Sequence, residues 1–556
     1  MHEEYIIETD ILVIGGGMAG FNAAIKAREQ GMKVTFVDKG YISKSGQTPF
    51  AMDFACFNPE WNHDQDSWLK TIYSAGEYLC NREWTEIILQ DSLQRFKDLE
   101  SWGVEFIRKE SGDPVLNAIG GTPTETVQLV ERKFVKVLRK HATKLGVNLV
   151  DKVMVTDLLE NNGKIIGAIG FPTDSCHLYI FKAKATVLTM GGNSIKPISL
   201  IGSELTADGD AMAYRAGAEI SGKEFTHTYY TGGDPAKWYN FISGISAVGW
   251  ERSHKNFTSI TNSEGNEVQL SSPLGFRELD FEAYAGRTPL RLNVNEKNIH
   301  LFQKLGCMDS EGNVPIIGGA KPSMAVHGTE GIWIENKKSA ASIPGLYAGG
   351  DCASTRHMGA AYAVWGFALC GAAVTGARAG IGAAEYASQE ENVTIDNEYL
   401  DQIRRMTLAP IKRKGGIKPR WLNQVLNHNL TPYFIFQIKK ADRIEASLTI
   451  VEYMKENLVP RLYAKDPHEL RLAHESKNMV LNAEMKLRAS LFRTESRGKH
   501  YREDFPLRDD KSWLAWLKLK NDNGEMKFTK EPLPKEWQPN PNKSYEEKYP
   551  FRFPGE

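Results

Sequence analysis

The chain has 556 residues, which is too long for one hydrophobic core and predicts two to four domains. Its 68 basic and 69 acidic residues nearly cancel, and this balance argues against nucleic acid or an anionic membrane as the main partner. The six cysteines are scattered, which excludes a ferredoxin-type cluster motif and a CxxC redox pair within this chain.

The stretch from Thr9 to Gly40 carries the clearest motif. The apolar run Ile11 to Ile14 is typical of a buried parallel strand, and an alanine-rich helix and a second strand ending in Asp38 follow it. Glycines that permit a tight turn and close approach of a pyrophosphate stand between the first strand and the helix, at GxGxxG spacing: Gly15, Gly17 and Gly20. The order of these parts predicts a βαβ unit that binds ADP, with phosphate at the helix N-terminus and ribose at the acid.

Helices and a hairpin are predicted in the next part of the chain. Helical periodicity covers Gln65 to Gly103 and Thr122 to Leu145. Residues Val153 to Leu158 and Lys164 to Gly170 alternate as strands do, and the turn Asn161-Asn162-Gly163 between them is a strong hairpin signal.

Later stretches indicate the wider organisation. The pattern of a strand followed by a glycine turn returns at Ala183 to Gly192 and at Ile343 to Ala353. Residues 233–330 are broken by many Gly, Pro, Ser and Asn and predict an inserted α+β domain. Residues 396–500 are predicted to be helical, and the six prolines among the last 25 residues predict an extended tail on the surface.

The segment from Met358 to Ala377 has 20 residues without a charge, long enough to cross a bilayer. Its many glycines and alanines make it weakly apolar, so a buried helix packed closely against a cofactor or a sheet is the better interpretation. A membrane would then be reached only indirectly, through a partner.

Five motifs occur in the order found in a known family. They are GGGMAG near the start, ATVLTMGG near 190, TADGDAMAYRAG near 210, GLYAGGD near 350 and ESRGKHYREDFPLRDD near 500. Together they resemble the flavoprotein subunits of the fumarate reductase, succinate dehydrogenase, L-aspartate oxidase and adenylylsulfate reductase superfamily. The resemblance implies an oxidoreductase with an α/β, Rossmann-like FAD-binding domain in two parts (1–232 and 331–395), an inserted α+β capping domain (233–330), a helical domain (396–500) and an extended C-terminal segment (501–556).

FAD is the cofactor that the resemblance implies. Members with covalent FAD carry a histidine that bonds the flavin, whereas the matching stretch from Lys44 to Thr48 has none, so we expect non-covalent FAD. If the glycine-rich helix begins near Gly359, its N-terminal dipole would stabilise the reduced flavin. The residues expected to contact FAD are Gly15, Gly17, Met18, Ala19, Gly20, Asp38, Lys39, Ser45, Gly46, Thr48, Gly191, Gly192, Asp208, Gly350 and Asp351.

Substrate residues of the dicarboxylate members are only partly matched. The family's His-Pro-Thr motif corresponds to Tyr229 and Tyr230 with Thr231, His227 lies upstream, and the stretch from His357 to Tyr362 lacks the family's arginine. A second family histidine does have a match, in His327. Because each carboxylate of a buried dianion needs a charge-assisted partner, these differences predict a small polar or anionic substrate that is not a typical dicarboxylate.

Five residues are candidates for catalysis. His327 is expected to be a ligand or proton donor near the flavin. Tyr229, Tyr230 and His227 would either line the pocket or form an aromatic core under the cap. The family places its catalytic arginine in the cap, where Arg277 is a candidate and two others are equally eligible, Arg287 and Arg291. No metal site is predicted.

The remaining expectations concern partners and location. A flavin site without cluster ligands implies a separate iron–sulfur, ferredoxin-like subunit that supplies or accepts electrons, as in anaerobic metabolism. The acidic N-terminal stretch lacks a secretion signal and favours a cytoplasmic protein. A non-enzymatic FAD and RNA-binding module, docking through the basic cluster at 412–420, is a second interpretation, and the balanced net charge argues against it.

Overall fold

The computed structural model describes residues 4–118, 123–131, 134–196, 204–226, 228–232, 257–269, 277–296, 299–304, 306, 308–322, 329–362, 364 and 366–556. Its strands in chain order are β1 (Glu4–Ile14), β2 (Val34–Val37), β3 (Asp53–Ala55), β4 (Leu116–Ala118), β5 (Glu125–Gln128), β6 (Asn148–Val150), β7 (Val153–Asn161), β8 (Lys164–Pro172), β9 (Leu178–Leu188), β10 (Ile220–Ser221), β11 (Thr228–Gly232), β12 (Phe257–Thr261), β13 (Leu290–Val294), β14 (Val314–Pro322), β15 (Gly331–Trp333), β16 (Leu346–Ala348), β17 (Ala353–Ser354), β18 (Ile438–Lys439), β19 (Tyr501–Arg502), β20 (Ala515–Asp522) and β21 (Glu525–Pro532).

The α-helices among these residues are Met18–Glu29, Gln65–Ala75, Arg82–Ser101, Phe134–Lys144, Asp208–Arg215, Arg277–Tyr284, Ile299–Lys304, Phe367–Ala387, Asn397–Lys412, Pro419–Leu430, Tyr433–Phe436, Ala441–Tyr453, Pro467–Phe492, Asp510–Trp513 and Tyr545–Lys548. Three of them organise the site. We call Met18–Glu29 the first helix, Phe367–Ala387 the glycine helix and Pro467–Phe492 the long helix.

A seven-stranded sheet forms the centre of the FAD-binding region, in the order β6-β2-β1-β9-β8-β7 with β16 beside β9. β1 runs parallel to both β2 and β9 and is buried between them, with Leu12 and Val13 fully inaccessible. An apolar run without alternation suits a strand covered on both faces. β16, from the returning segment, joins the same sheet, which is the two-part arrangement that the motif order predicts.

The predicted hairpin is confirmed. β7 and β8 pair antiparallel with Asn161 opposite Lys164. Asn162 and Gly163 between them both have positive φ, +52° and +74°. Asn-Gly suits such a turn because both residues tolerate the left-handed conformation that a two-residue hairpin loop requires.

Two helices span the predicted helical stretch from residue 65 to 103, as expected, but the prediction from residue 122 is wrong in its first part. Residues Glu125–Gln128 form β5, which pairs with both β3 and β4, and the following helix begins only at Phe134. Val127 is buried between Phe54 and Leu116 of these neighbours. Pairing between distant strands therefore overrides the local helical period.

The glycine helix is buried and closely packed, as the sequence predicts, but the expected neighbour was a cofactor or a sheet and the first helix lies directly against it. A Cβ added at Gly376 or Gly380 would lie 2.2 Å from the carbonyl oxygen of Ala19 or Ala23, respectively. By length and composition it is the one helix among the described residues able to span a membrane, yet 78% of its most apolar window is buried inside the protein. The expected start near Gly359 is wrong, because Gly366 with φ +77° precedes the first helical residue, Phe367.

The described part of the cap is α+β, as predicted. Its sheet has the antiparallel order β11-β14-β13-β12, so the cap sheet begins at Thr228 rather than at residue 233. A second sheet, β17-β15-β10-β20-β21, joins strands from both sides of the cap with a hairpin from the C-terminal segment. Sequence reasoning did not foresee that hairpin. The helical domain between 396 and 500 is confirmed by the run of helices from Asn397–Lys412 to the long helix.

Candidate functional site

The turn between β1 and the first helix is shaped for close approach of a ligand. Gly15 has φ +112°, and a Cβ there would lie 2.4 Å from the carbonyl oxygen of Thr189, while one at Gly20 would lie 2.1 Å from that of Gly15. The first helix follows Gly17 without a capping side chain. Its N-terminus thus has no cap from its own N-cap residue, and it presents to a phosphate its positive dipole and the N–H groups that follow Met18.

Asp38 stands at the carboxyl end of β2. Its two carboxylate oxygens accept hydrogen bonds of 2.6 Å from the backbone N–H groups of Gly16 and Gly40. Burial raises the pKa of Asp38 above its ordinary value, although these hydrogen bonds oppose the shift. Each oxygen keeps a second lone pair, which is what a ribose hydroxyl needs from the protein.

The polar loop after β2 folds back over this turn. Thr48 Oγ1 accepts from the N–H of Met18 at 3.0 Å, which ties the loop to the first helix. Ser45 Oγ accepts from the N–H of Tyr41 at 2.8 Å, and Gly46 has φ +76°. The loop therefore holds the predicted residues in one place, with Ser45 engaged in the loop's own turn.

Three buried polar atoms on the loops after β2 and β9 have no hydrogen-bond partner among the described residues: Ser43 Oγ, Gln47 Nε2 and Asn193 Nδ2. Buried polar groups are normally paired, so unpaired ones at the carboxyl edge of a parallel sheet fit a polar ligand. Together with the glycine turn and the acid, these atoms fit FAD, which would be held by Asp38, the first helix and these loops.

The other predicted glycines also lie at this edge of the sheet. Gly191 and Gly350 have positive φ, +74° and +67°. A Cβ at Gly350 would lie 2.9 Å from that of Ala19, and its N–H donates to Thr375 Oγ1 at 2.8 Å. The returning segment with Asp351 is thereby brought against the start of the first helix, and contact of Asp351 with FAD stays a prediction. Gly192 follows Gly191 on the same loop.

Lys39 and Asp208 lie in a buried ionic network that sequence reasoning missed. Lys39 Nζ lies 2.7 Å from Asp208 Oδ2 and 2.9 Å from Glu475 Oε1. Burial acts to lower the pKa of Lys39, yet the two carboxylates raise it above its ordinary value. Burial likewise opposes ionisation of Glu475, but Lys39, Lys196 and Arg471 lower its pKa to about 2. Their contact with FAD stays a prediction, since the polar atoms of both residues bind within the protein.

The network follows one face of the long helix. Residues 475, 478, 482 and 486 recur at three- and four-residue spacing, which places them on one side of a helix. Each reaches a different residue of the FAD-binding region or the end of the cap. Glu475 binds Lys39 (2.9 Å), Asn478 binds Asp208 (2.8 Å), Asn482 binds Lys223 (2.9 Å) and Lys486 binds Glu330 (2.6 Å). This polar stripe joins the helical domain to the cofactor region. Its only sequence signal was polar residues at helical spacing.

Catalytic candidates are placed only in part. His227 and His327 lie outside the described residues. Tyr229 and Tyr230 lie on β11, where Tyr229 pairs with Lys321 of β14 and the register shifts before Thr231. Arg277 begins a cap helix. The two other cap arginines face carboxylates of the cap itself, Arg287 at 2.7 Å from Glu282 and Arg291 at 3.9 Å from Asp309.

Comparisons with known proteins agree with this geometry. A family described as "FAD binding domain" matches residues 10–241, and "Fumarate reductase flavoprotein C-term" matches residues 441–545. The chain belongs to the fumarate reductase and succinate dehydrogenase flavoprotein superfamily. It is an FAD-dependent oxidoreductase subunit, as the motif order predicted.

Relatives in this superfamily align over nearly the whole chain. One subunit of the "Fumarate reductase (CoM/CoB)" of Methanothermobacter marburgensis is 26% identical over 91% of this chain and 96% of its own length. The "Fumarate reductase flavoprotein subunit" of Mycobacterium tuberculosis is 25% identical over 91% and 94%. The solved structure of Mycobacterium smegmatis Sdh1 in complex with UQ1 has a TM-score of 0.81 at 25% identity, over 96% of this chain and 95% of its own.

Adenylylsulfate reductase from Archaeoglobus fulgidus shares the fold as well. Its TM-score is 0.77 at 19% identity, and the match covers 97% of this flavoprotein and 98% of that chain. The predicted α/β fold with an FAD-binding domain and a helical C-terminal domain is confirmed by these matches.

Proposed function

We propose that this flavoprotein is the catalytic subunit of a cytoplasmic enzyme that exchanges electrons between a small polar or anionic substrate and an iron–sulfur partner. The observation that carries the substrate class is the loss of the dicarboxylate residues in a chain that keeps the family's fold. Met358, Ala360 and Ala361 are buried and apolar in the stretch where the family has its arginine. Tyr229 and Tyr230 replace the histidine motif.

The size of this loss can be judged from charge-assisted hydrogen bonds. Each contributes about 1.5 to 3 kcal/mol, so losing two would weaken a dicarboxylate transition state by roughly 3 to 6 kcal/mol. That corresponds to about two to four orders of magnitude in rate. An aromatic, enoyl or sulfur-containing substrate suits the tyrosines better, with His327 as the polar contact.

FAD, when bound, supplies hydride or electron-pair transfer. The chain's own residues then bind and orient: Asp38 holds the ribose, the first helix holds the phosphates, and the cap excludes water from the reacting groups. His327 holds or donates a proton on the substrate side.

Cysteine chemistry supports a separate electron carrier. Four free cysteines are fully buried, Cys56, Cys80, Cys352 and Cys370. Burial raises the pKa of the Cys80 thiol to about 12, which disfavours the thiolate that a cluster needs. Among the described residues, no group of three or more His, Cys, Asp and Glu is arranged to hold a metal ion. Iron–sulfur chemistry is therefore assigned to a partner.

The test is anaerobic photoreduction of the FAD, followed by a panel of acceptors monitored at the flavin absorbance. We expect faster reoxidation by enoyl, aromatic or sulfur compounds than by fumarate. Rapid reoxidation by fumarate alone would contradict the proposal and favour a fumarate reductase proper. In a separate experiment without photoreduction, reduction of the oxidised FAD by AMP with sulfite alone would favour an adenylylsulfate reductase.

Two further measurements check the cofactor and the partner. Acid precipitation is expected to release the flavin into the supernatant, and flavin that remains with the pellet would contradict non-covalent binding. A native complex purified from its source is expected to contain iron and labile sulfide. Tight RNA binding at about 150 mM salt, the physiological value, would instead revive the RNA-binding interpretation.

A further inference from the structure

Arg356 is a buried cation, and two of its three guanidinium nitrogens have no hydrogen-bond partner among the described residues. The residue is 1% exposed, and Nη1 donates to the carbonyl oxygen of Thr329. Its Nε and Nη2 atoms are buried without a hydrogen-bond partner among the described residues. Leaving a buried donor unpaired is destabilising, and more so when the group is charged, so these donors point to a ligand.

No described carboxylate hydrogen-bonds to this guanidinium, although Glu224 and Glu330 attract it from a distance. Glu224 lies near it but pairs with Arg493 at 3.0 Å, and Glu330 pairs with Lys486 at 2.6 Å. Phe225 offers only its ring, 5.1 Å from the guanidinium carbon. Burial lowers the pKa of Arg356 to about 10, which still leaves it protonated at neutral pH. The Arg356 guanidinium is therefore charged but has no hydrogen-bonded carboxylate among the described residues, and an anion would satisfy its open edge.

Lys439 is a second buried basic residue near Glu224, and its Nζ already has hydrogen-bond partners. Its ammonium donates to the carbonyl oxygen of Glu224 at 2.6 Å and lies 2.9 Å from His500 Nδ1. Burial holds the pKa of Lys439 well below its usual range, which favours the uncharged amine. Of these two basic residues, Arg356 is thus the one that is charged and has donors available to a ligand.

The backbone of Arg356 is held in a strained conformation. Its φ is +58°, in the left-handed region that non-glycine residues rarely adopt. Its carbonyl oxygen accepts from the N–H groups of Asn81 (2.9 Å) and Gly359 (3.1 Å), which fix this geometry. Strain of this kind is retained where it aims a side chain at a ligand.

The contacts of Arg356 place it beside the predicted substrate residues. Thr329, which accepts its Nη1, lies two positions after His327, and Phe225 lies two positions before His227. Arg356 therefore lies between the two segments that lead into the cap at the predicted pocket. It also follows Asp351, which is expected at the FAD, by only five positions.

We propose that Arg356 binds the anionic group of the substrate, and that the substrate class is a monoanion presenting two oxygens of one carboxylate or sulfur oxyanion. Nε and Nη2 form one edge of the planar guanidinium, and this edge binds two oxygens side by side. This inference rests on the proposed function. The inference also narrows the substrate class of that function. One open arginine pairs with one anionic group and leaves a second carboxylate of a dianion without a described cation.

The test uses the FAD-loaded protein titrated with acetate, benzoate and malonate, followed by the flavin difference spectrum. We expect saturable binding of the monoanions, which Arg356→Gln weakens about tenfold to a hundredfold, as expected for one charge-assisted contact. Arg356→Lys keeps the charge without the planar edge and is expected to be intermediate. Arg502→Gln is the matched control, since Arg502 is equally buried but paired with Asp504 at 2.7 Å.

Several outcomes would overturn this assignment. They are equal affinities in the wild type and Arg356→Gln, no saturable binding by the wild type, or a changed flavin potential with unchanged anion affinity, which would make Arg356 a partner of the flavin instead. Circular dichroism and FAD content establish that each variant is folded, and Arg356→Lys carries the test if Arg356→Gln does not fold. Failure of the proposed function would give a different result: the protein would contain no flavin, or fumarate alone would reoxidise its reduced flavin.

Discussion

Gly376 is where the glycine helix touches the backbone of the first helix, and replacing it by alanine tests how the cofactor turn is held. The added Cβ would lie 2.2 Å from the carbonyl oxygen of Ala19 and 2.7 Å from its Cα. A relaxed carbon–oxygen contact needs about 3.3 to 3.6 Å, so the two helices must separate by about 1 Å. Because the obstacle is backbone on both sides, no side-chain rotation can relieve it.

The magnitude follows from two opposing effects. Overpacking costs about 1 to 3 kcal/mol, and a rigid backbone obstacle favours the upper part of that range. Alanine in a helix recovers about 1 kcal/mol relative to glycine. We expect Gly376→Ala to lower the free energy of unfolding by about 2 kcal/mol net. Since Ala19 adjoins Gly20 in the turn, FAD affinity should also fall.

Gly371→Ala in the same helix is the matched control. Its Cβ would meet the ring Nε2 of His357 at 3.2 Å, and a side chain can shift by a few tenths of an ångström. The assays are urea unfolding monitored by circular dichroism and FAD titration of the apoprotein. Equal stability and equal FAD affinity in the two variants would show that contact between the helices does not position the turn.

Two more predictions concern the long helix. Glu475→Gln should lower the free energy of unfolding by about 3 to 5 kcal/mol, because three buried or half-buried cations then lose the carboxylate that they share: Lys39, Lys196 and Arg471. Urea unfolding measures this change, and a loss below about 1 kcal/mol would contradict the prediction. Burial lowers the pKa of His474 to about 4 from an ordinary 6.5. The stability that the neutral imidazole contributes is therefore complete above pH 6.5 and is lost as the pH falls toward 4, which lowers the free energy of unfolding by up to about 3 kcal/mol. The unfolding free energy of wild type and His474→Gln, measured from pH 7 to 4, should converge, and a constant difference would contradict the assignment.

Features set by short stretches of sequence could be predicted. The βαβ unit depends on glycines and an acid within one stretch of the chain, and the β7–β8 hairpin depends on Asn162 and Gly163 alone. The close packing of the glycine helix was also predictable, since small residues permit helices to approach. Its start was not, because a glycine inside an uncharged stretch does not reveal which φ it will adopt.

Features set by distant partners could not be predicted. β5 forms because Val127 meets two other strands, and nothing within its own window indicates this. In the sequence, the polar stripe is indistinguishable from an ordinary solvated helix face. Only the folded structure brings Lys39 and Lys223 to it. The same limit applies to Arg356, since its unpaired edge is defined by which carboxylates other residues have already taken.

The pairing between the C-terminal segment and residues 77–82 has a consequence for biosynthesis. Arg508 donates two hydrogen bonds, of 2.9 and 3.0 Å, to the carboxylate of Glu77, which lies 431 positions earlier in the sequence. Trp516 Nε1 donates to the carbonyl oxygen of Leu79 at 2.8 Å. At about 5 to 20 residues per second, a ribosome needs roughly 20 to 90 seconds to deliver Arg508 after Glu77. Glu77, buried in the finished protein, stays uncovered on the nascent chain for that whole interval. This part of the molecule therefore closes only after residue 508 has been made, and the uncovered segment is a natural client for a chaperone.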